Sequence, residues 1–193
     1  MITIPQENDI IEFHTQILKR YGGKEGWNNY NLLPSALYSV TYYLTIVEAV
    51  ASLFYSIVEN HIWQDGNKRT ACTTILSMLI DNNCVLKCSD KVLQELAEET
   101  ARQNLNKNNV LNFFYKWLEF NEPHYIYAII YDDSIRIRND KKEIKQIKEE
   151  IQVEGIEYEI YRVEEREWLK DKKPEDSNWW KKNGNRLQRL VVK

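Results

Sequence analysis

The chain has 193 residues, of which 43% are hydrophobic and 28% charged, a balance that fits a globular protein and excludes a disordered, collagenous or coiled-coil one. A net charge of −3 argues against a general nucleic-acid binder, and the apolar stretches, broken by Glu48 and Glu59, never reach the ~18 residues of a membrane span. The start, MITIPQEND, lacks the basic-then-apolar pattern of a signal peptide, and Cys72, Cys84 and Cys88 form neither an even disulfide set nor a zinc set. A reduced, cytoplasmic setting is expected.

In chain order, Ile10, Ile11, Phe13, Ile17 and Leu18 recur at helical spacing and predict a helix over about 6–20, which Gly22 and Gly23 stop. A polar turn from Lys24 to Asn31 leads to a short helix over 32–40. Residues 45–60, TIVEAVASLFYSIVEN, are apolar on nearly every side and predict a central helix. Residues 67–81 form the next, with Ala71, Ile75, Leu76, Met78 and Leu79 facing inward and Asn82 and Asn83 as its stop. Two further helices are expected over about 89–104 and 107–120, capped by Ser89 with Asp90 and by Asn106.

Residues 1–120 carry ten basic and thirteen acidic residues and residues 121–193 sixteen of each, so charge density roughly doubles and a boundary falls near Pro123. Beyond it the pattern alternates: Tyr125, Tyr127, Ile129 and Tyr131 share one strand face, and Ile135 and Ile137 share another. A charged helix at about 140–152 and a strand at 156–163 complete a strand, strand, helix, strand unit, small enough that packing against the first domain or a second copy is expected. The tyrosines, Tyr158 and Tyr161 included, would decorate its sheet. The organisation is thus mainly α, a helical domain over 1–122 followed by a small α+β domain over 124–193. The last residues, 177–193, carry Lys181, Lys182, Arg186, Arg189 and Lys193 with Trp179 and Trp180 and no acid. They read as a basic tail, either a solvated or surface-packed helix, a segment docking in cis through Trp179, Trp180, Leu187 and Leu190, or a nucleic-acid contact through residues 179–193.

The most informative stretch is His61-Ile62-Trp63-Gln64-Asp65-Gly66-Asn67-Lys68-Arg69-Thr70, between the central helix and the next. A histidine leaves one helix, a carboxylate and a glycine form the turn, and Asn67, Lys68 and Arg69 open the following helix. Backbone N–H groups at a helix start attract an anion, Gly66 lets the backbone approach it, and Lys68 and Arg69 add full charges. Asp65 is placed to hold Mg2+ against phosphates, and His61, which titrates near neutral pH, to take a proton from an attacking hydroxyl. The same residues also fit a plain polar cap between two buried helices, with His61 bonded to backbone.

This string resembles the Fic/Doc signature, H-x-F-x-D/E-G/A-N-K/G-R, and in particular the Doc branch, where N-K-R-T-A is usual. The flanking IIEFHTQILKRYGG and LLPSAL resemble the amino-terminal half of Doc proteins, and the likeness runs to about residue 120. The resemblance implies a Fic/Doc helical bundle in which His61 deprotonates the target hydroxyl, Asp65 binds Mg2+, Gly66 with Asn67 forms the anion hole, and Lys68 and Arg69 contact the phosphates of ATP. Fic enzymes that transfer AMP usually carry a second arginine three places after the first, a position held here by Cys72. The resemblance therefore implies a Doc-like, ATP-dependent kinase of a protein Ser/Thr hydroxyl, with elongation factor Tu as the expected target, a toxin or phage-type role, and a possible antitoxin or cis inhibition by the carboxy-terminal region. AMP transfer is the alternative, and a non-catalytic binding protein on a Doc scaffold is another.

Three departures from the family pattern stand out. Trp63 replaces the phenylalanine, a small change if that side chain packs in the core. The stretch from Ser35 to His61 is shorter than usual, leaving Tyr38–Thr45 either as a strand that aligns the target or as the end of a helix. The region from 124 onward is an addition. Thr3–Asn8 also matches the inhibitory S/T-x-x-x-E-G/N pattern of Fic proteins, though Thr3 and Glu7 equally suit an ordinary helix start. His14, on the first helix, reads as a structural residue, and His124 stands at the domain junction, outside any motif.

Overall fold

Apolar residues at helical spacing bury Ile10, His14 and Ile17 on one face of α1 (Glu7–Tyr21), and Gly22, at φ +73°, stops the helix. Its start is fixed by Gln6, whose N–H donates to Asp9 Oδ2 at 2.9 Å, rather than by Thr3. Helix α2 (Leu32–Val40) is short and leads into a turn, and α3 (Ile46–Glu59) buries eleven of its fourteen residues. Thr45 caps α3 by accepting from Glu48 N–H, and α2, α4, α5 and α6 all pack against the helix, as its all-round apolar surface requires. Helix α4 (Asn67–Asp81) runs beside α3 and α1, and Asn83, at φ +53°, turns the chain after it. The computed structural model describes residues 2–122, 124–131, 134–154, 157–171 and 174–190, in two compact units, 2–122 and 123 onward.

The helical unit departs from expectation after residue 83. Strand β1 (Cys84–Leu86) precedes α5 (Asp90–Ala101), and α6 (Lys107–Trp117) ends three residues early because 118–120 form β2 (Leu118–Phe120). The two strands pair antiparallel, Cys84 with Phe120 and Leu86 with Leu118, so that backbone groups a helix end would leave orphaned find partners. Helix α5 also stops short of residue 104, with Gln103 at φ +60°. Ser89 and Asn106 do cap α5 and α6, accepting from Val92 N–H and Asn109 N–H. Residues 38–45 hold the end of α2 and a turn, not a strand, and leave Tyr38 and Tyr42 exposed in an edge-on pair.

In the second unit, β3 (Tyr125–Tyr131), β4 (Ser134–Arg138), α7 (Lys141–Glu154) and β5 (Tyr158–Glu164) follow in the expected order. The alternation works as the period-2 pattern requires: Ile129, Tyr158 and Ile160 face Ile144 and Ile147 of α7, with Tyr127 and Tyr131 packed against them. Tyr158 and Tyr161 are core residues at 1% and 3% exposure, not surface decoration.

The basic tail is not a free helix. After α8 (Glu165–Lys170), α9 (Ser177–Asn183) covers only its first residues, and β6 (Asn185–Leu190) adds a fourth strand in the antiparallel order β4-β3-β5-β6. Trp180 is fully buried, and its indole and that of Trp168 both donate to Pro174 O. Trp179 donates to Asp171. These contacts explain the tail's tryptophans as packing. The boundary residue Pro123 and Lys193 lie outside the described residues, as do the side chains of Arg189 and Leu190.

Candidate functional site

The motif occupies the turn between α3 and α4, and its backbone is held from both sides. Asn67, the first residue of α4, accepts from Trp63 N–H through Oδ1 at 2.9 Å and donates from Nδ2 to Trp63 O at 2.7 Å, closing the loop on itself. From outside, residues 24–29 run alongside as a strap. Asn28 N–H donates to Ile62 O at 2.9 Å, Gln64 N–H donates to Gly26 O at 2.9 Å, and Trp27 forms an antiparallel bridge with Trp63. The Asn28 side chain donates to both His61 O and Trp63 O, at 2.8 and 3.0 Å. The sequence marks this segment only as a polar turn. Its GGKEG glycines were the available signal, since a Cβ on Gly23 would stand 2.7 Å from Asp65 Oδ2.

Gly66 caps α4 at φ +77°, a conformation that strongly favours glycine. Space makes the same demand: a Cβ there would meet His14 Cε1 at 3.1 Å. Beneath the turn, Trp63 is 1% exposed, stacks on His14 with centroids 4.3 Å apart and lies tilted against Trp27 at 5.1 Å. Its replacement of phenylalanine is thus absorbed by core packing.

Asp65 Oδ1 accepts from Gly66 N–H at 2.5 Å and lies 3.6 Å from Arg69, while Lys24 N–H approaches Oδ2 at 3.4 Å. The Gly66 N–H bond, reinforced by Lys24 and Arg69, holds the Asp65 carboxyl below the usual carboxylate range. The carboxylate stays ionised with 45% of its side chain open to solvent. Asp65, Lys68 and Arg69 form one end of a cleft of about 580 Å3 that runs along α4 between α1 and α5, past Cys72 and Leu76, with Leu93 and Gln94 on the opposite wall. Arg69 also lies over the Tyr21 ring, 5.6 Å from its centroid. Burial pushes the Cys72 thiol up to about 12, so that position on the cleft carries no charge.

The structure therefore brings together Asp65, Lys68 and Arg69 on the cleft, at a helix start whose free N–H groups and dipole favour an anion. Gly66 and Asn67 do not line it; the Asn67 side chain is spent on Trp63, so any anion contact from this residue falls to its backbone. His61 is exposed in the turn after α3 at φ +46°, and it too lies off the cleft lining. Among the described residues no group of three His, Cys, Asp or Glu side chains is arranged to hold a metal. One ionised carboxylate beside Lys68 and Arg69 fits Mg2+, which commonly takes one or two protein carboxylates and completes its shell with phosphate oxygens and water.

Residues 4–79 match the family model described as the Fic/DOC family, a span that contains the whole motif, its strap and α1 through most of α4. The helical unit carries a Fic/Doc domain. No curated protein sequence matches the chain. Membership supports a Fic-type transferase, and such proteins use ATP, generally with Mg2+. In this Fic/Doc domain, the inhibitory reading of Thr3–Asn8 meets a different set of contacts. Glu7 accepts from Tyr30 OH, and the Thr3 backbone exchanges two hydrogen bonds of 2.8 Å with the Asn82 side chain. No helix among the described residues is long and apolar enough to cross a membrane.

Proposed function

We propose that the Fic/Doc domain is a Doc-like protein kinase that moves the γ-phosphoryl group of ATP to a Ser or Thr hydroxyl. The observation that carries this reading is the cleft at the start of α4, with Asp65, Lys68 and Arg69 at one end and the neutral Cys72 one turn further on. AMP transfer in this family relies on a second arginine at that position, and a thiol that stays protonated supplies no charge to a relocated α-phosphate.

In this reading Lys68, Arg69 and the first-turn N–H groups of α4 bind and orient the phosphates, and Mg2+ on Asp65 supplies charge neutralisation. His61 accepts the proton of the target hydroxyl as its oxygen bonds to the γ-phosphorus and the bond to the ADP oxygen breaks. Such general-base help contributes roughly 10²–10⁴ in rate. Asn67 acts by holding the turn.

The partner in this reading is a protein with an accessible hydroxyl, elongation factor Tu being the first to assay, and the biological role is a growth-arresting toxin in the cytoplasm. The test is label transfer from γ- and α-labelled ATP with Mg2+ into bacterial lysate and purified elongation factor Tu, comparing wild type with His61→Ala. His61-dependent γ label is expected. Label from the α position would overturn kinase in favour of AMP transfer, and no label on any protein would leave a binding module on a Doc scaffold.

A further inference from the structure

His14 is a motif neighbour that the proposed chemistry does not use, yet it touches three positions of the motif. Its ring stacks on Trp63 at 14° between planes, its Cε1 edge stands 3.1 Å from where a Cβ on Gly66 would be, and Nδ1 is 3.1 Å from Thr70 Oγ1. These residues span the turn: the buried aromatic before it, the left-handed glycine at its apex, and the end of the first turn of α4. The other ring nitrogen, Nε2, is buried with no hydrogen-bond partner among the described residues, and the residue is only 5% exposed. An apolar ring would fill the same space without burying a lone polar atom. What imidazole adds is the tie to Thr70, which is itself fully buried.

We propose that His14 is a positioning residue that fixes, through Thr70 and the face of Gly66, the angle at which the Asp65–Gly66 turn and the first turn of α4 meet the phosphates. The inference rests on the nucleotide-binding reading of the cleft. Burial keeps the imidazole from charging, opposed in part by Asp65 and aided by Arg69, so a neutral ring is the working form. Either neutral tautomer preserves the link, since Thr70 Oγ1 can accept from Nδ1–H or donate to a bare Nδ1.

The test measures binding of the Mg2+ complex of a fluorescent ATP analogue to the full chain, alongside thermal melting. The variants are His14→Phe, His14→Asn, Thr70→Val and the double variant His14→Phe with Thr70→Val. Losing the link should weaken binding about tenfold, the low end for residues that orient a site from behind. Thr70→Val and His14→Phe should each show this, and the double variant no more than the weaker-binding single, because both remove one interaction. His14→Asn, whose amide can meet Thr70 at the Nδ1 position, should recover to within about threefold of wild type. If His14→Phe does not fold, Thr70→Val and His14→Asn carry the comparison.

Where transfer is measurable, the loss should fall on KM for the nucleotide rather than on kcat. Folded variants that bind within twofold of wild type, or single effects that multiply in the double variant, would overturn the inference while leaving the nucleotide site intact. A wild type that binds no nucleotide would overturn both.

Discussion

Replacing Asn67 with alanine removes the clasp that closes the motif loop. Two buried hydrogen bonds disappear, from Trp63 N–H at 2.9 Å and to Trp63 O at 2.7 Å, but their loss is unequal. Trp63 O keeps Asn28 Nδ2 as a donor at 3.0 Å, so only the net value of one bond, about 1 kcal/mol, is lost there. Trp63 N–H, inside a residue 1% exposed, is left with no partner among the described residues, at a cost of about 1–3 kcal/mol. The expected destabilisation is therefore about 2–4 kcal/mol. Asn67→Asp separates the halves, because a carboxylate still accepts from Trp63 N–H but faces Trp63 O without a donor. It should also destabilise, with Trp63 N–H still protected. Urea unfolding of the full chain, with amide exchange read at Trp63, measures both. A loss below about 0.5 kcal/mol in Asn67→Ala with Trp63 exchange unchanged would refute the clasp.

Four further outcomes are expected. His61→Gly should match or exceed wild-type stability, because the histidine sits at φ +46° on an exposed turn where glycine carries no strain, while transfer falls by roughly 10²–10⁴; differential scanning calorimetry and the label assay read the two effects. Trp63→Ala should cost about 3–5 kcal/mol, since it empties the space between His14 and Trp27, and urea midpoints would show it. Trp180→Ala should destabilise the carboxy-terminal unit by a similar amount through the lost packing and its bond to Pro174 O, read as an earlier loss of β-sheet signal. The His14 pKa is lowered in the folded state, so below 6.5 the unfolded chain binds a proton that the folded one refuses. Stability should consequently fall as pH drops from 6.5 toward the lowered folded value. In His14→Phe that part of the decline should vanish, and an unchanged pH curve for the variant would contradict it.

The strongest local signals carried over into structure. An all-round apolar run such as Ile46–Glu59 has only one stable home, at the centre of a bundle, and the alternating runs beyond residue 124 form strands, though β3 and β5 bury residues on both faces. The motif, too, was legible, because a glycine at a helix start beside Lys and Arg is dictated by local sterics and charge. Less visible were elements whose partners are distant in sequence. Residues 118–120 continue a helical pattern and become a strand because Cys84–Leu86 offers an edge, and the basic tail becomes β6 because β5 does.

The sequence by itself determined the helices of residues 7–81, the switch to alternation, and which residue types stand at the α3–α4 turn, since each depends on neighbours within a few positions. Only the tertiary structure decided that Asp65, Lys68 and Arg69 share a cleft with α5, that Asn67 faces inward to Trp63, and that the strap at 24–29 and His14 hold the turn. Apart from Asn67–Trp63, those contacts join residues tens of positions apart, and periodicity, which reports on which face a residue lies, carries no information about what that face will meet.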